Sequence, residues 1–280
     1  MPDAIINIGK SQIQHGPAND RVYLMKLDEG ATKKTLDEID RLAESRGYSK
    51  IFAKVPSPGR EQFLTRGYAE EARIPQYYNG RIDLHFMSRF LTSKRAIAPD
   101  QAEQKEALAL ARGKQINDKP ATAELPPSYS YRVCEEKDAP AIVKVYKKVF
   151  ESYPFPIHDP DYIVETMRTN VTYFGIWAGG QLIALSSAER DLAADSVEMT
   201  DFATLPPARR RGLGVFLLQH MEEEMARRGV YTAYTIARAI SAGMNIVFAK
   251  QGYKYGGTLV NNTDICGRLE SMNIWWKALQ

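Results

Sequence analysis

The segment from 208 to 220, "ARRRGLGVFLLQH", has residue types and a spacing that could bind an anion. Three arginines precede Gly212 and Gly214, and an apolar repeat typical of a helix begins directly after them. Glycine lets backbone amides approach a ligand closely, and the first turn of a helix leaves amides unpaired where the helix dipole favours negative charge. Neighbouring arginines would add charge-assisted hydrogen bonds. The segment therefore predicts either a site for a phosphorylated ligand or a solvated basic turn that contains glycine.

The elements around this segment must position it. A strand over "DSVEMTDFATLP" is stopped by Pro206, and the helix after Gly212 ends at Gly229. Upstream, "VTYFGIWAGGQLIALSSAER" is typical of two strands joined at Gly179-Gly180, and downstream "VYTAYTIA" predicts a further strand. This order of strand, loop, helix and strand indicates an α/β fold with a mixed sheet.

A change of composition after residue 95 indicates two domains. The segment "APDQAEQKEALALARGK" predicts a charged helix, and "INDKPATAELPPS" is a Pro-rich connector. A chain of 280 residues is long enough for two ordinary domains. We therefore expect an N-terminal domain at 1–95, a helical and Pro-rich linker at 96–128, and a C-terminal domain at 129–280.

Composition and charge restrict the classes of function. With 44% hydrophobic and 25% charged residues and a formal net charge of +3, the chain is typical of soluble globular proteins, which argues against a nucleic-acid partner. No segment approaches the roughly 18 consecutive apolar residues of a membrane span, so we expect a cytoplasmic protein with no membrane partner. Cys134 and Cys266 are far apart and lack companion ligands, which predicts structural thiols and no metal site.

The spacing of Arg209, Gly212 and Gly214 resembles the acetyl-CoA pyrophosphate loop of the GNAT N-acetyltransferases. The later segment "NIVFAKQGY" resembles that family's Asn…Gly-Phe/Tyr segment through Asn245, Gly252 and Tyr253. The resemblance covers about 129–280 and implies the GNAT acetyl-CoA-binding fold, with acetyl-CoA as co-substrate and no metal. It also implies contacts with that co-substrate: Phe202, Ala203 and Thr204 with the pantetheine arm, Arg209, Arg210, Arg211, Gly212, Leu213, Gly214 and Val215 with the pyrophosphate, and Asn245, Phe248 and Lys250 on the far side.

One segment of the N-terminal half is similar to a segment of the C-terminal half. "IFAKVPSPGREQFLTRGY" follows the same order of strand, short helix and Gly-Tyr as "YTIARAISAGMNIVFAKQGY", which predicts a truncated GNAT-like repeat that lacks the glycine loop. A reduced unit followed by a catalytic unit resembles the members of the family that acetylate beta-lysine. That likeness implies acetyl transfer to the side-chain amine of beta-lysine, which gives N6-acetyl-beta-lysine, a compatible solute used under osmotic stress.

Acetyl transfer needs a base for the acceptor amine and a donor for the oxyanion. The resemblance implies Glu198 as the base, with Asp201 as an alternative base or amine anchor. Strand alternation places the two carboxylates on opposite faces unless a bulge intervenes, so only one of them would face the amine. Many members carry a tyrosine where this chain has Phe248, which leaves Tyr253, Tyr255 or water to protonate the departing thiolate.

A dibasic substrate that also has a carboxylate should meet acidic and aromatic side chains. We expect the substrate-binding residues to be Tyr77, Tyr153, Phe155 and Glu189. Two alternative functions stay open: acetylation of another small amine, such as a polyamine or amino acid, and a non-catalytic acyl-CoA-binding protein, which Phe248 would favour. A homodimer also stays open as the assembled form.

Overall fold

The N-terminal half consists of strands with two helices. The computed structural model describes residues 3–28, 30, 33–115, 122–151, 153, 155–265 and 267–280. Part of the expected linker, at 116–121, and Cys266 lie outside these ranges. The elements of this half are β1 (Ala4–Ile8), β2 (Ser11–Gly16), β3 (Arg21–Lys26), α1 (Lys33–Arg46), β4 (Lys50–Pro56), α2 (Arg60–Leu64), β5 (Ala69–Tyr78) and β6 (Ile82–Phe90).

A connecting helix leads to the C-terminal half. The charged segment forms the predicted helix, α3 (Gln101–Arg112), directly after Asp100. The remaining elements are β7 (Tyr129–Val133), α4 (Ala139–Val149), α5 (Pro160–Thr169), β8 (Val171–Ala178), β9 (Gln181–Asp191), β10 (Ser196–Thr204), α6 (Leu213–Arg227), β11 (Thr232–Arg238), α7 (Ala242–Lys250), β12 (Lys254–Ile265) and β13 (Arg268–Ala278). None of the helices in the described ranges has the length and apolarity needed to span a membrane.

The fold is mixed α/β, as the sequence predicts, and all described strands belong to one sheet. The sheet has 13 strands in the order β1-β2-β3-β4-β6-β5-β12-β13-β11-β10-β9-β8-β7. Its centre is symmetric: β3 and β4 are parallel on one side, β10 and β11 are parallel on the other, and β5 meets β12 between them. The order β4-β6-β5 is thus mirrored by β11-β13-β12, which is the arrangement of an internal repeat.

The repeat extends to side chains. Phe63 and Tyr68 form an edge-to-face pair with ring centroids 5.0 Å apart, and Phe248 and Tyr253 form the same pair at 5.0 Å. In both units the tyrosine amide donates to the phenylalanine carbonyl, at 3.2 and 3.1 Å. The chain turns through a glycine at φ +78° or +79° immediately before each tyrosine. The similarity between the two sequence segments therefore corresponds to a structural repeat.

Three apolar clusters hold the molecule together. One packs α4, α5, α6 and α7 on the C-terminal sheet, and a second packs α1 and α2 on the N-terminal sheet. The third joins the two halves and includes Tyr23, Phe52, Tyr77, Tyr234 and Ile274. Because of this third cluster, residues of β4 and β5 approach β11, although four other strands lie between β4 and β11 in the sheet.

The helix predicted after Gly212 is confirmed as α6. Leu213, Leu217, Met221 and Met225 are buried, as their spacing predicts, and they belong to the C-terminal core. The helix axis therefore lies fixed against the sheet, with its first turn beside the end of β10.

Candidate functional site

The site begins where β10 and β11 part. These parallel strands pair only through Ser196, Val197 and Glu198 on β10, with Glu198 opposite Tyr234 on β11. Beyond that point β10 continues to pair with β9 on its other side, through Ala203 and Thr204. The edge of β10 from 202 to 204 that faces β11 is therefore available to hydrogen-bond a ligand inserted between the strands.

The loop after β10 presents backbone amides. Gly212 precedes α6 with φ +73°, and Arg210 also has a positive φ, of +63°. The first backbone hydrogen bond of the helix runs from the Phe216 amide to the Gly212 carbonyl, at 3.1 Å, so the amides of Leu213, Gly214 and Val215 lack intrahelical partners. Among the described residues, the nearest neighbour of a Cβ added at Gly212 would be Ala123 Cβ, at 3.9 Å, so these residues leave the space above this backbone open.

The exposed arginines flank this loop in different ways. Arg209 Nε donates to the Thr204 carbonyl at 3.1 Å, which ties the loop to the end of β10. Arg211 donates to the Tyr129 hydroxyl at 2.8 Å. A cavity of about 320 Å³ adjoins the loop, and its lining includes Tyr129, Lys148 and Arg211. The loop, the helix terminus and the cations together form a surface suited to a phosphorylated ligand.

Two carboxylates lie on one face of the sheet near this edge. Strand alternation predicts that Asp201 lies on the opposite face from Glu198, but β10 has a bulge between Thr200 and Ala203, and Asp201 adopts φ +54°. Asp201 Oδ2 accepts a hydrogen bond from Ser187 Oγ at 2.6 Å, and Thr200 Oγ1 donates to Oδ1 at 3.3 Å. Ser187 and Thr200 are cross-strand partners on the Glu198 face. The bulge that the sequence left open is therefore present, and it brings both carboxylates to one side.

The surroundings of the two carboxylates differ. Burial raises the pKa of Glu198 to about 7, with Lys54 opposing the rise and Glu189 adding to it. Burial also raises the pKa of Asp201, although hydroxyl groups donate to it, including that of Tyr153. Glu198 is thus able to take up and release a proton near neutral pH, whereas Asp201 is fixed by its hydrogen bonds.

The N-terminal half contributes a cation to this face. Lys54 on β4 donates to the hydroxyl of Tyr234 at 3.2 Å, and its ammonium lies 5.5 Å from the centre of that ring. Sequence reasoning missed Lys54 and Tyr234, since no local pattern relates two residues 180 positions apart. The only signal available was the internal repeat, which indicates that two similar units pack together but does not identify the side chains that meet.

The four predicted substrate-binding residues differ in their position relative to Glu198 and Asp201. Tyr153 donates to Asp201, and Glu189 is the cross-strand partner of Glu198. Phe155 is partly buried at the edge of the C-terminal core. Tyr77 is only 2% exposed and packs edge-to-face on Tyr234, with ring centroids 5.5 Å apart. It therefore fills the contact between the halves, behind the acidic face.

The three residues predicted on the far side of the co-substrate also have different environments. Asn245 is fully buried and donates to the carbonyls of Arg238 and Ser241, while its oxygen accepts from Asn273 and Trp275. Since both N–H groups and both lone pairs are used, this side chain supports α7 rather than reaching a ligand. The Phe248 ring is fully buried against Phe202 and Tyr253, and Lys250 is partly exposed at the last residue of α7.

The two candidate proton donors, Tyr253 and Tyr255, have different surroundings. Tyr253 is fully buried, and burial together with Glu222 raises its pKa well above the ordinary value. The Tyr255 hydroxyl lies 2.5 Å from Thr258 Oγ1, and its ring packs on Trp275. Across the described ranges, no group of three or more His, Cys, Asp or Glu side chains is arranged to hold a metal ion.

Comparison with known proteins gives consistent matches. Residues 142–253 match the model of the acetyltransferase (GNAT) family. The chain is 42% identical over 275 residues, 98% of each chain, to a beta-lysine N(6)-acetyltransferase of Methanococcus maripaludis. It is 34% identical to the beta-lysine N(6)-acetyltransferase of Methanosarcina mazei, with 85% of this chain and 94% of the relative covered. It is also 34% identical to the N-acetyltransferase YodP of Bacillus subtilis, with 95% of each covered.

Proposed function

This chain belongs to the GNAT acetyltransferase family and is an N-acetyltransferase, and from that premise we propose that it acetylates the side-chain amine of beta-lysine with acetyl-CoA. The product is N6-acetyl-beta-lysine. The chemistry rests on one observation above all, the ionisable Glu198 at the point where β10 and β11 part. The choice of acceptor is supported by relatives of that name that match nearly the whole chain, including its N-terminal half.

The co-substrate site is formed by β10 and the loop before α6. The backbone of Phe202, Ala203 and Thr204 pairs with the pantetheine arm in the gap between β10 and β11. The amides from Arg210 to Val215 hold the pyrophosphate, and those of Leu213, Gly214 and Val215 among them lack intrahelical partners in the first turn of α6. Arg209 fixes the loop through Thr204, and Lys250 at the end of α7 contributes charge on the far side.

Glu198 acts as the base, directly or through a water molecule. It takes a proton from the acceptor ammonium, and the free amine attacks the thioester carbonyl to give a tetrahedral oxyanion. The C–S bond then breaks, the acetyl group stays on nitrogen, and the coenzyme A thiolate leaves. With Phe248 buried and Tyr253 enclosed, water supplies the proton to the thiolate.

The acidic face binds the acceptor. Glu189 and Asp201 stabilise ammonium groups of the substrate, and Tyr153 holds Asp201 in position. Phe155 covers the aliphatic chain, and Tyr77 supports the site from behind. A substrate with two ammonium groups matches this set of carboxylates.

We propose a division of labour between the units at 1–95 and 129–280, with 96–128 as the linker. The C-terminal unit carries acetyl-CoA and the base, and the N-terminal unit closes the acceptor site. The reaction takes place in the cytoplasm, where its product, a zwitterion with a neutral side chain, serves as a compatible solute under osmotic stress.

The proposal is tested by incubating the purified protein with acetyl-CoA and an equimolar mixture of beta-lysine, alpha-lysine, spermidine, glutamate and a lysine peptide. Selective appearance of N6-acetyl-beta-lysine by mass spectrometry is the expected result. Acetylation of another amine in preference would overturn the choice of acceptor and leave the chemistry in place. Binding of acetyl-CoA with no acetylated product from any acceptor would contradict the catalytic role of Glu198.

A further inference from the structure

Lys54 is a cation of the N-terminal half that lies in the acceptor site of the C-terminal half. It is partly exposed on β4, and its neighbours on β3 and β5, Tyr23 and Tyr77, belong to the apolar contact between the halves. In the described part of the chain, no carboxylate lies within 4.0 Å of its ammonium. Its hydrogen-bonding partner there is the hydroxyl of Tyr234.

The hydroxyl of Tyr234 also connects Lys54 to Glu198. Tyr234 and Glu198 are register partners on parallel strands, so their side chains leave the same face side by side. The Tyr234 hydroxyl accepts a hydrogen bond from Lys54, and the Tyr234 side chain lies beside that of Glu198. The three groups are therefore neighbours across β4, β11 and β10.

We propose that Lys54 is a positioning residue, which through Tyr234 keeps the Glu198 carboxylate oriented and ionised, so that the N-terminal half completes the catalytic centre. The proposal rests on Glu198 being the base. It explains why a unit without a glycine loop of its own is retained against the acceptor side of the catalytic unit.

Charge balance around Glu198 supports this role. Burial and the neighbouring carboxylates Glu189 and Asp201 all favour the neutral acid, and Lys54 is the cation that opposes them. Tyr234 stays protonated, because burial and Glu198 raise its pKa well above the ordinary value, and it can therefore donate to the carboxylate. Tyr153 on the far side is engaged with Asp201. Without Lys54, Glu198 would retain its proton to higher pH.

Lys54 itself stays charged. Burial lowers its pKa, but Tyr23, Tyr77, Glu198 and Glu189 together outweigh that effect, and the net shift is upward. A permanently protonated ammonium acts on the carboxylate as a fixed charge and does not compete as a proton acceptor.

The test is the pH dependence of kcat/KM for the acceptor at saturating acetyl-CoA, compared among variants. Lys54→Met should move the acidic limb upward by about one pH unit, which means a loss of about tenfold near neutral pH that recovers at alkaline pH. Lys54→Arg should keep the limb in place because it keeps the charge. Lys26→Met, at the exposed end of β3, is the matched control and should change nothing.

The outcomes separate the possible roles. A uniform loss at every pH in Lys54→Met, or an unmoved limb, would show that Lys54 is only structural. A loss with beta-lysine but not with its carboxamide would show that Lys54 binds the acceptor's carboxylate instead. Glu198→Gln distinguishes the underlying proposal, since persistence of the acidic limb in that variant removes Glu198 as the base whatever Lys54 does. If Glu198→Gln loses the acidic limb of the pH profile and Lys54→Met does not shift it, only the role of Lys54 is overturned, and Glu198 stays the base.

Discussion

Glu198 combines a role in proton transfer with a cost to stability. Burial raises its pKa to about 7, above the ordinary value of 4.5. A carboxyl group whose pKa is raised on folding binds its proton more tightly in the folded state. Its contribution to stability is therefore largest at low pH and is lost as the pH rises from about 4.5 to about 7. The ionised form of Glu198, which catalysis needs, therefore lowers the stability of the folded protein.

The substitution Glu198→Gln should consequently stabilise the protein at pH 8 by on the order of 1 kcal/mol, with little effect at pH 5. The gain in the free energy of unfolding is small because the side chain is partly exposed and water screens its charge. Thermal unfolding followed at both pH values measures this difference. The same substitution at Glu44, an exposed residue of α1, is the control and should show no such pH dependence. Equal melting temperatures for wild type and Glu198→Gln at pH 8 would show that the carboxylate is not destabilised by its surroundings.

At the scale of elements, α6 has glycine in the left-handed region at both ends, but only its N-terminal end faces the proposed ligand. Gly212 has φ +73° and Gly229 has φ +79°. Of the residues that the structure describes, none lies within 4 Å of a Cβ at Gly229, and only Ala123 does so for a Cβ at Gly212, at 3.9 Å. Alanine should therefore cause similar backbone strain, of about 1 kcal/mol, at either position. The difference between them lies in what the added methyl would displace.

Gly212→Ala should weaken acetyl-CoA binding by about tenfold or more, because the methyl group occupies the space through which the pyrophosphate reaches the amides. Gly229→Ala should leave the affinity for acetyl-CoA unchanged, although it should lower the stability of the protein as much as Gly212→Ala does. Isothermal titration with acetyl-CoA and thermal unfolding of both variants provide the two measurements. Equal affinities would remove the loop from the co-substrate site.

The elements also show which parts of the site the sequence could predict. The loop and α6 depend on contiguous residues, so glycine positions and apolar spacing were sufficient. The placement of Asp201 depends on a bulge in β10, and strand alternation alone gave the wrong face. Asn245 was identified by resemblance, but its hydrogen bonds to Asn273 and Trp275 come from another strand. The role of Lys54 depends on a contact between distant strands of the two halves, which no local sequence pattern contains.

At the scale of the whole molecule, the edge strands of the two halves, β5 and β12, pair at one register position beside the apolar cluster that also joins the halves. β5 and β12 pair through Ala72 and Gly257, and Gly257 has φ +140°. A Cβ at that position would lie 2.2 Å from the carbonyl oxygen of Glu71 and 2.6 Å from Ala72 Cα. Because both contacts are with backbone, a larger residue at position 257 must push β5 and β12 apart. The position of Lys54 over the acidic face depends on the same junction.

Gly257→Ala should therefore impair acceptor turnover more than acetyl-CoA binding, since β10 and α6, which form the proposed co-substrate site, belong entirely to the C-terminal half. We expect kcat/KM for the acceptor to fall by about tenfold or more, with acetyl-CoA affinity nearly unchanged. Gly267→Ala is the matched control, because Gly267 also has a positive φ, of +79°, but a Cβ there has no neighbour within 4 Å in the described part of the chain. Circular dichroism establishes that both variants are folded. A parallel loss of acetyl-CoA binding and turnover would mean that the halves act as one unit, whereas separate losses would show that their junction positions the acceptor site alone.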